Sequence, residues 1–303
     1  MSILVKNITK VYDKQQALNE VSFEISEKGI VGFLGPNGAG KSTMMKILTC
    51  YIPQTSGTAS VCGFDVSEDT LNVRNNIGYL PEHNPLYLDM YVKEFLSFVG
   101  GIYQLKQVDK RVKEMIELTG LQAEQTKKIG ALSKGYRQRV GLAQAMIHNP
   151  KVLIMDEPTT GLDPNQLEEI RSLIKNLGKE KTVMLSTHIM QEVEAICDRV
   201  IIINQGQIVA DDQTQKLQKA SVMQTIAVEF DAEVDKTKLK QLPGVKEVVK
   251  VDQNSWQLMS DSTEDIRKVI FEFAVKNNLT VLSLNKLEQK MEDVFKDLTK
   301  KKK

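Results

Sequence analysis

The segment 29–43, GIVGFLGPNGAGKST, constrains this chain more than any other stretch. Its apolar run from Ile30 to Leu34 is bounded by glycines and reads as a buried strand. The next residues, Gly35-Pro36-Asn37-Gly38-Ala39-Gly40-Lys41-Ser42, satisfy G-x-x-x-x-G-K-[ST]; Thr43 follows, and Met44, Met45, Ile47 and Leu48 mark a helix. Strand, glycine loop and helix stand in the order the spacing requires. The glycines let the backbone curl until successive N–H groups point inward and form an anion nest. A helix N-terminus adds a dipole that favours phosphate. Lys41 is expected to reach the β- and γ-phosphates of a nucleotide, and the Ser42 hydroxyl to ligate Mg²⁺. A chance glycine loop between strand and helix is the bland alternative, and the threefold context disfavours it. The segment predicts a nucleotide site.

With 303 residues the chain has room for about two domains. A net charge of +1 excludes a whole-molecule field directed at nucleic acid or anionic membrane. Cys50, Cys62 and Cys197 are far apart, with neither C-x-x-C nor metal spacing, which fits a reducing compartment. The opening MSILVKNITKVY has no signal-peptide pattern, and no apolar run approaches the ~20 residues that span a bilayer. A cytoplasmic location is therefore expected.

Before the loop, Ile3-x-Val5 and Val21-x-Phe23-x-Ile25 alternate and predict two antiparallel strands joined through YDKQQALNE, with Tyr12 in the connection. A tyrosine there is commonly a packing residue, yet it offers the flat face that adenine needs. Further strands are expected at 58–61 and 77–80, the second ending in the Pro81-Glu82-His83-Asn84-Pro85 excursion. Residues 91–147 carry helical periodicity, with LSKGYRQRV at 132–140 leading into an apolar helix that Asn149-Pro150 ends. Strands at 152–155 and 181–187 deliver Asp156-Glu157 and His188 at their carboxyl ends, and Asp163-Pro164-Asn165-Gln166 opens another helix. An Asn-Gln-Gly turn at 204–206 marks a hairpin. The alternation of strands and helices argues for a largely parallel α/β core. Beyond about residue 219 the pattern is that of a small α+β unit: strands at 225–230, 247–259 and 280–284, helices at 264–276 and 287–298, and no clustered ligand set. The lysine run 300–303 reads as a solvated tail.

Asp156, delivered by an apolar strand beside the phosphate loop, can hold Mg²⁺ through water; Glu157 can accept a proton from an attacking water. Tyr12, GPNGAGKST at 35–43, LSKGYRQRV at 132–140, VLIMDEP at 152–158, GLDP at 161–164 and STH at 186–188 occur in the order of an ABC transporter ATPase subunit, which residues 1–218 resemble. A narrower resemblance, to the ATP-binding subunit of the gliding-motility ABC transporter of Bacteroidetes, rests on LPEHNPLY at 80–87, LSKGYRQRVGLA at 132–143 and STHIMQEVEAICDRV at 186–200. MEDVF at 291–295 is like the ending of many ATPase subunits of ABC-2-type exporters.

The resemblance implies an α/β P-loop NTPase fold of ABC type: a mixed sheet core, an antiparallel β subdomain and a helical subdomain at about 88–150, followed by an accessory domain at 219–303. It implies ATP and Mg²⁺ as ligands and ATP hydrolysis coupled to transport. Tyr12 would stack on adenine, and Gly35, Pro36, Asn37, Gly38, Ala39, Gly40, Lys41, Ser42 and Thr43 would cradle the phosphates. Asp156 would hold Mg²⁺, Glu157 act as general base, and His188 touch the γ-phosphate. Ser133, Gly135 and Tyr136 would close over the nucleotide of a second subunit, with Leu162 and Asp163 at the junction, so a homodimer follows. The expected partners are separate ABC-2-type permease subunits and no nucleic acid, with the chain peripheral on the inner face of the membrane.

Two segments depart from the family pattern. Glu82 stands where glutamine is usual, and Leu132-Ser-Lys-Gly-Tyr136 where Leu-Ser-Gly-Gly-Gln is usual. An ionised Glu82 only accepts hydrogen bonds and adds negative charge, tolerable where it faces Mg²⁺ or water; Lys134 returns a positive charge near the partner's phosphate. The competing reading is a soluble ABC ATPase acting on nucleic acid or the ribosome. The chain has neither a long coiled-coil insertion, nor a second ATPase domain, nor a basic stripe to support it.

Overall fold

The computed structural model describes residues 1–26, 28–219, 224–260, 262, 264–287 and 295. The chain divides into two compact units, Met1–Thr214 and Gln215–Lys303.

The first unit opens with β1 (Ile3–Tyr12) and β2 (Gln15–Ile25), an antiparallel pair whose connection is only Asp13-Lys14. That turn is tighter than the alternation predicts, because Asp13 takes a left-handed conformation and Gln15–Ala17 join the ladder opposite Tyr12 and its neighbours. Next come β3 (Gly29–Leu34), α1 (Lys41–Leu48), β4 (Ser56–Val61), β5 (Phe64–Asp65), α2 (Thr70–Asn76) and β6 (Ile77–Leu80). A helical stretch of α3 (Val92–Ile102), α4 (Val108–Leu118) and α5 (Lys134–Met146) follows. The unit continues with β7 (Val152–Asp156), α6 (Pro164–Gly178), β8 (Thr182–Thr187), α7 (Met190–Ile196), β9 (Arg199–Asn204) and β10 (Gln207–Gln213).

One sheet is antiparallel, in the order β2-β1-β4-β5; the other runs β10-β9-β3-β8-β7-β6, parallel except for β10. The central strands are buried almost throughout, with apolar middles, because both faces of the sheet are covered. On one face, Met44, Met45, Ile47 and Leu48 of α1 pack with Val31, Phe33, Ile154 and Met184, and with Val5 and Phe23 of the antiparallel sheet. On the opposite face, Val193 and Cys197 lie against Gly32, and Ile30 against Gly178 of α6. Parallel strands place all their carboxyl ends on one edge, which is where the loops after β3, β7 and β8 gather.

After α5 the chain turns at His148, whose ring stacks on Tyr103 at 3.9 Å and whose Nε2 bonds Ile77 O at 3.0 Å. Burial holds its pKa down at about 4, with the nearby Arg111 and Lys181 cations adding to the effect, and Nδ1 is buried without a partner. The unfolded chain takes up this proton near pH 6.5. Stability is therefore expected to fall as pH drops from about 6.5 towards about 4. Urea midpoints at pH 7 and pH 5 check this, and His148→Gln, which cannot titrate there, should narrow the difference.

Helix α8 (Thr214–Lys219) begins at the boundary. The second unit contains β11 (Gln224–Phe230), α9 (Lys236–Lys240), β12 (Val245–Lys250), β13 (Ser255–Ser260), α10 (Arg267–Lys276) and β14 (Val281–Leu287), with the antiparallel order β12-β13-β11-β14. Its core holds Ile226, Val228, Phe230, Trp256, Leu258, Ile270 and Ala274. The single strand expected over 247–259 is two strands around a turn at 251–254. Leu287, expected to open a helix, ends β14; residues 288–294 and 296–303, carrying most of that expected helix, MEDV and the lysine run, lie outside the described residues.

Candidate functional site

The loop between β3 and α1 wraps the N-terminus of α1. Ala39 N donates to Pro36 O at 3.1 Å, and Gly40, at φ 107°, forms the helix N-cap. Its conformation and the closeness of Ala17 O, 2.6 Å from where a Cβ would sit, require glycine. Lys41 is buried at 6% exposure; its Nζ donates to Gly35 O at 2.8 Å and Pro36 O at 3.3 Å. Burial lowers its pKa, while the carboxylates of Glu157 and Asp156 oppose that shift.

A cavity of about 510 Å³ opens over this loop, lined by Tyr12, Gln15, Ala17, Asn37, Gly38, Gly40, Lys41, Ser42, Thr43, Glu82, Glu157 and His188. A second cavity of about 420 Å³ shares Ser42 and Glu82 with it and adds Asp156, Lys46, Tyr51 and Tyr79. Tyr12 ends β1 half-exposed at the rim, with Lys10 Nζ 5.0 Å from its ring centroid. Gly35, Pro36 and Ala39 shape the loop from behind without lining either cavity.

At the ends of β7 and β8 the carboxylates take separate roles. Asp156 accepts from Ser186 Oγ at 2.5 Å. Glu157 sits at φ 50°, a left-handed conformation costly for a side chain with a Cβ, and its N–H is held by Ser186 O and Oγ at 3.2 Å each. The turn redirects its carboxylate away from that of Asp156. His188 Nδ1 donates to Glu157 Oε2 at 2.9 Å, Thr160 Oγ1 donates to it at 3.3 Å, and Lys41 Nζ lies 3.7 Å from Oε1. Cation, carboxylate and imidazole thus form one connected group at the cavity wall.

The 132–136 segment stands apart. Ser133 caps α5 by accepting from Tyr136 N at 3.4 Å, and Arg139 lies 5.6 Å from the Tyr136 ring centroid. Gly135 is buried against the Gln166 side chain, and Lys134 lies over Gly161. Asp163 caps α6, accepting from Gln166 N at 3.0 Å. Ser133, Gly135, Tyr136 and Asp163 line neither cavity of their own chain. Gln138 Nε2 donates to Pro158 O at 2.9 Å and links α5 to the loop that carries Glu157. Sequence reasoning missed Gln15, Ala17 and Ser186; Ser186 carried a signal, as the hydroxyl two residues before His188.

The ABC transporter family model matches residues 18–160, which include the phosphate loop, Asp156 and Glu157. Over 96% of this chain and 97% of its own length, the ABC transporter ATP-binding protein YxlF of Bacillus subtilis (strain 168) is 32% identical. The chain belongs to the ABC transporter ATP-binding proteins. Linearmycin resistance ATP-binding protein LnrL of the same organism is 32% identical over 97% of each chain. Bacitracin transport ATP-binding protein BcrA of Bacillus licheniformis is 35% identical over 72% of each. Among solved structures, a dimeric ATP-binding cassette in a post-hydrolysis state with ADP and Pi is 27% identical, at a TM-score of 0.64 over 70% of this chain and 98% of its own. This ABC ATPase binds and hydrolyses ATP as the energy-supplying subunit of a transporter. Among its described residues, no helix is long and apolar enough to cross a membrane.

Proposed function

We propose that this ABC ATPase drives an ABC-2-type membrane exporter as a homodimer on the inner face of the membrane, with both ATP sites formed across the dimer interface. One observation carries the dimer: the Ser133–Tyr136 turn, a serine-capped helix start suited to an anion, lies away from its own chain's cavity. A second copy brings that turn to the cavity's open side. Relatives matching across both units, one named for linearmycin resistance, support export. Membership of a gliding-motility system is the finer reading and rests on residues 80–87, 132–143 and 186–200. The exposed Tyr87, Leu88, Tyr91 and Phe98, beside the 81–85 excursion, suit contact with a membrane subunit. The domain limits we favour, 1–218 and 219–303 with a helical subdomain over about 88–150, fall a few residues beyond the boundary between the compact units after Thr214.

In the cavity, Tyr12 stacks on adenine, the loop N–H groups cradle the phosphates, and Lys41 neutralises the β- and γ-oxygens. The Ser42 hydroxyl and the Asp156 and Glu82 carboxylates share the adjoining cavity and offer the hard oxygen donors that Mg²⁺ prefers. When bound there, Mg²⁺ would offset charge on the phosphates. Glu157 takes a proton from water aligned with the γ-phosphate, and His188 contacts that phosphate while holding the Glu157 carboxylate in place.

Glu82 is exposed and reaches both cavities, so its extra charge is solvated. Glu82→Gln is expected to keep kcat within about tenfold, or 1.4 kcal/mol, in a steady-state ATPase assay. Complete loss would make the carboxylate itself essential. Affinity purification from membranes tests the export reading: a small polytopic protein should accompany the chain, whereas nucleic acid or ribosomes would favour the soluble alternative.

A further inference from the structure

Behind the Glu157–His188 pair lies a further acid, which neither cavity touches. Glu192, on α7, is 1% exposed and faces two hydroxyls. Its Oε1 accepts from Thr159 Oγ1, and its Oε2 accepts from Thr187 Oγ1 at 2.7 Å. Both threonines are buried, Thr159 two residues beyond Glu157 and Thr187 immediately before His188. We infer that Glu192 is a positioning residue, whose single carboxylate ties the loop after β7 to the end of β8 and so fixes Glu157 against His188.

The bonding pattern explains why an acid serves here. Thr187 Oγ1 accepts from Ile189 N at 3.0 Å, so its proton must find an acceptor elsewhere. Thr187 O also accepts from Gly35 N at 3.4 Å, which joins the same node to the phosphate loop. On the other side, Thr159 O accepts from Leu162 N at 3.3 Å, and Thr160 donates to Glu157. Two hydroxyl donors, one in the loop after β7 and one at the end of β8, each meet their own oxygen on a single side chain. A carboxylate supplies both, and an amide supplies one. Buried donors left unmet would turn elsewhere and loosen both loops. The tie bears most directly on the alignment of Glu157 and His188, so its loss should appear in turnover before ATP binding.

The inference rests on the roles proposed above for Glu157 and His188, and the experiment separates the two. In the full-length protein, E192Q is expected to lower kcat about tenfold while KM for ATP and the dissociation constant of a fluorescent ATP analogue stay within about twofold. T159V removes one donor without touching the acid and should lower kcat in the same way. T159S, which keeps the hydroxyl and loses the methyl, should restore most of it. Should E192Q not fold, the T159V and T159S pair carries the test. An E192Q enzyme with native kcat, or T159S as slow as T159V, would overturn the inference, as would kcat, KM and Tm shifting together. E157Q is the control: its turnover at the native rate would overturn the general-base reading, whereas an inactive E157Q beside a fully active E192Q overturns only the tie.

Discussion

Glu157→Gln is expected to lower kcat by at least about a hundredfold, some 2.7 kcal/mol, while leaving ATP binding intact. The substitution keeps the side chain's shape and an oxygen to accept from His188 Nδ1, so the geometry around φ 50° and the Ser186 support persists. What disappears is the capacity to take a proton from water. The burial of Glu157, 7% exposed, means no bulk base can replace it directly. Phosphate release and titration with a fluorescent ATP analogue read the two effects separately. Native turnover in this variant would show that the carboxylate is not the base.

Lys41→Ala is expected to lower kcat/KM for ATP by at least about a hundredfold. Lys41 is the only lysine or arginine lining the larger cavity among the described residues. Its hydrogen bonds to Gly35 O and Pro36 O hold the ammonium beneath the loop, where a triphosphate concentrates negative charge. Alanine removes that cation and also leaves the buried Glu157 carboxylate without its lysine partner at 3.7 Å. A lost phosphate contact weakens binding and transition state together, so KM should rise as well as kcat fall, unlike the Glu157 variant. Unchanged affinity for the ATP analogue would contradict the cradle role.

The elements that frame the site are legible for identifiable physical reasons. Strands buried on both faces are short continuous apolar runs, which is why Ile30–Leu34 and Val152–Met155 stand out in the sequence. The start of α6 carries its own grammar: Asp163 accepts the N–H of Gln166, and Pro164 follows it. The hairpin of β9 and β10 is visible because Gln205-Gly206, both at positive φ, suit a tight turn. Local alternation is less decisive in the second unit, where the turn at 251–254 interrupts a pattern that reads as one strand. The five residues of α9 leave no periodic trace.

For the candidate site, the motif order anticipates that Tyr12, the loop, Glu82, Glu157 and His188 meet, and the cavity is lined by Tyr12, Glu82, Glu157, His188 and the loop residues other than Gly35, Pro36 and Ala39. The supporting contacts are not legible. Glu192 and Thr159 are 33 positions apart, and nothing in the EVEA run distinguishes a buried acid from a solvated one. Ser186 is marked by its place in the STH run, yet its partner emerges only when the register of β7 and β8 sets it opposite Asp156. Pairing register decides such partners, and a single sequence does not encode it in any short segment.

The central claim is that each ATP site needs a second copy of the chain. Light scattering on the Glu157→Gln variant, with and without ATP and magnesium, measures it directly. A shift from the 34.1 kDa monomer mass to a dimer on adding ATP is the predicted result. A monomer mass at saturating ATP would contradict a site completed across the interface.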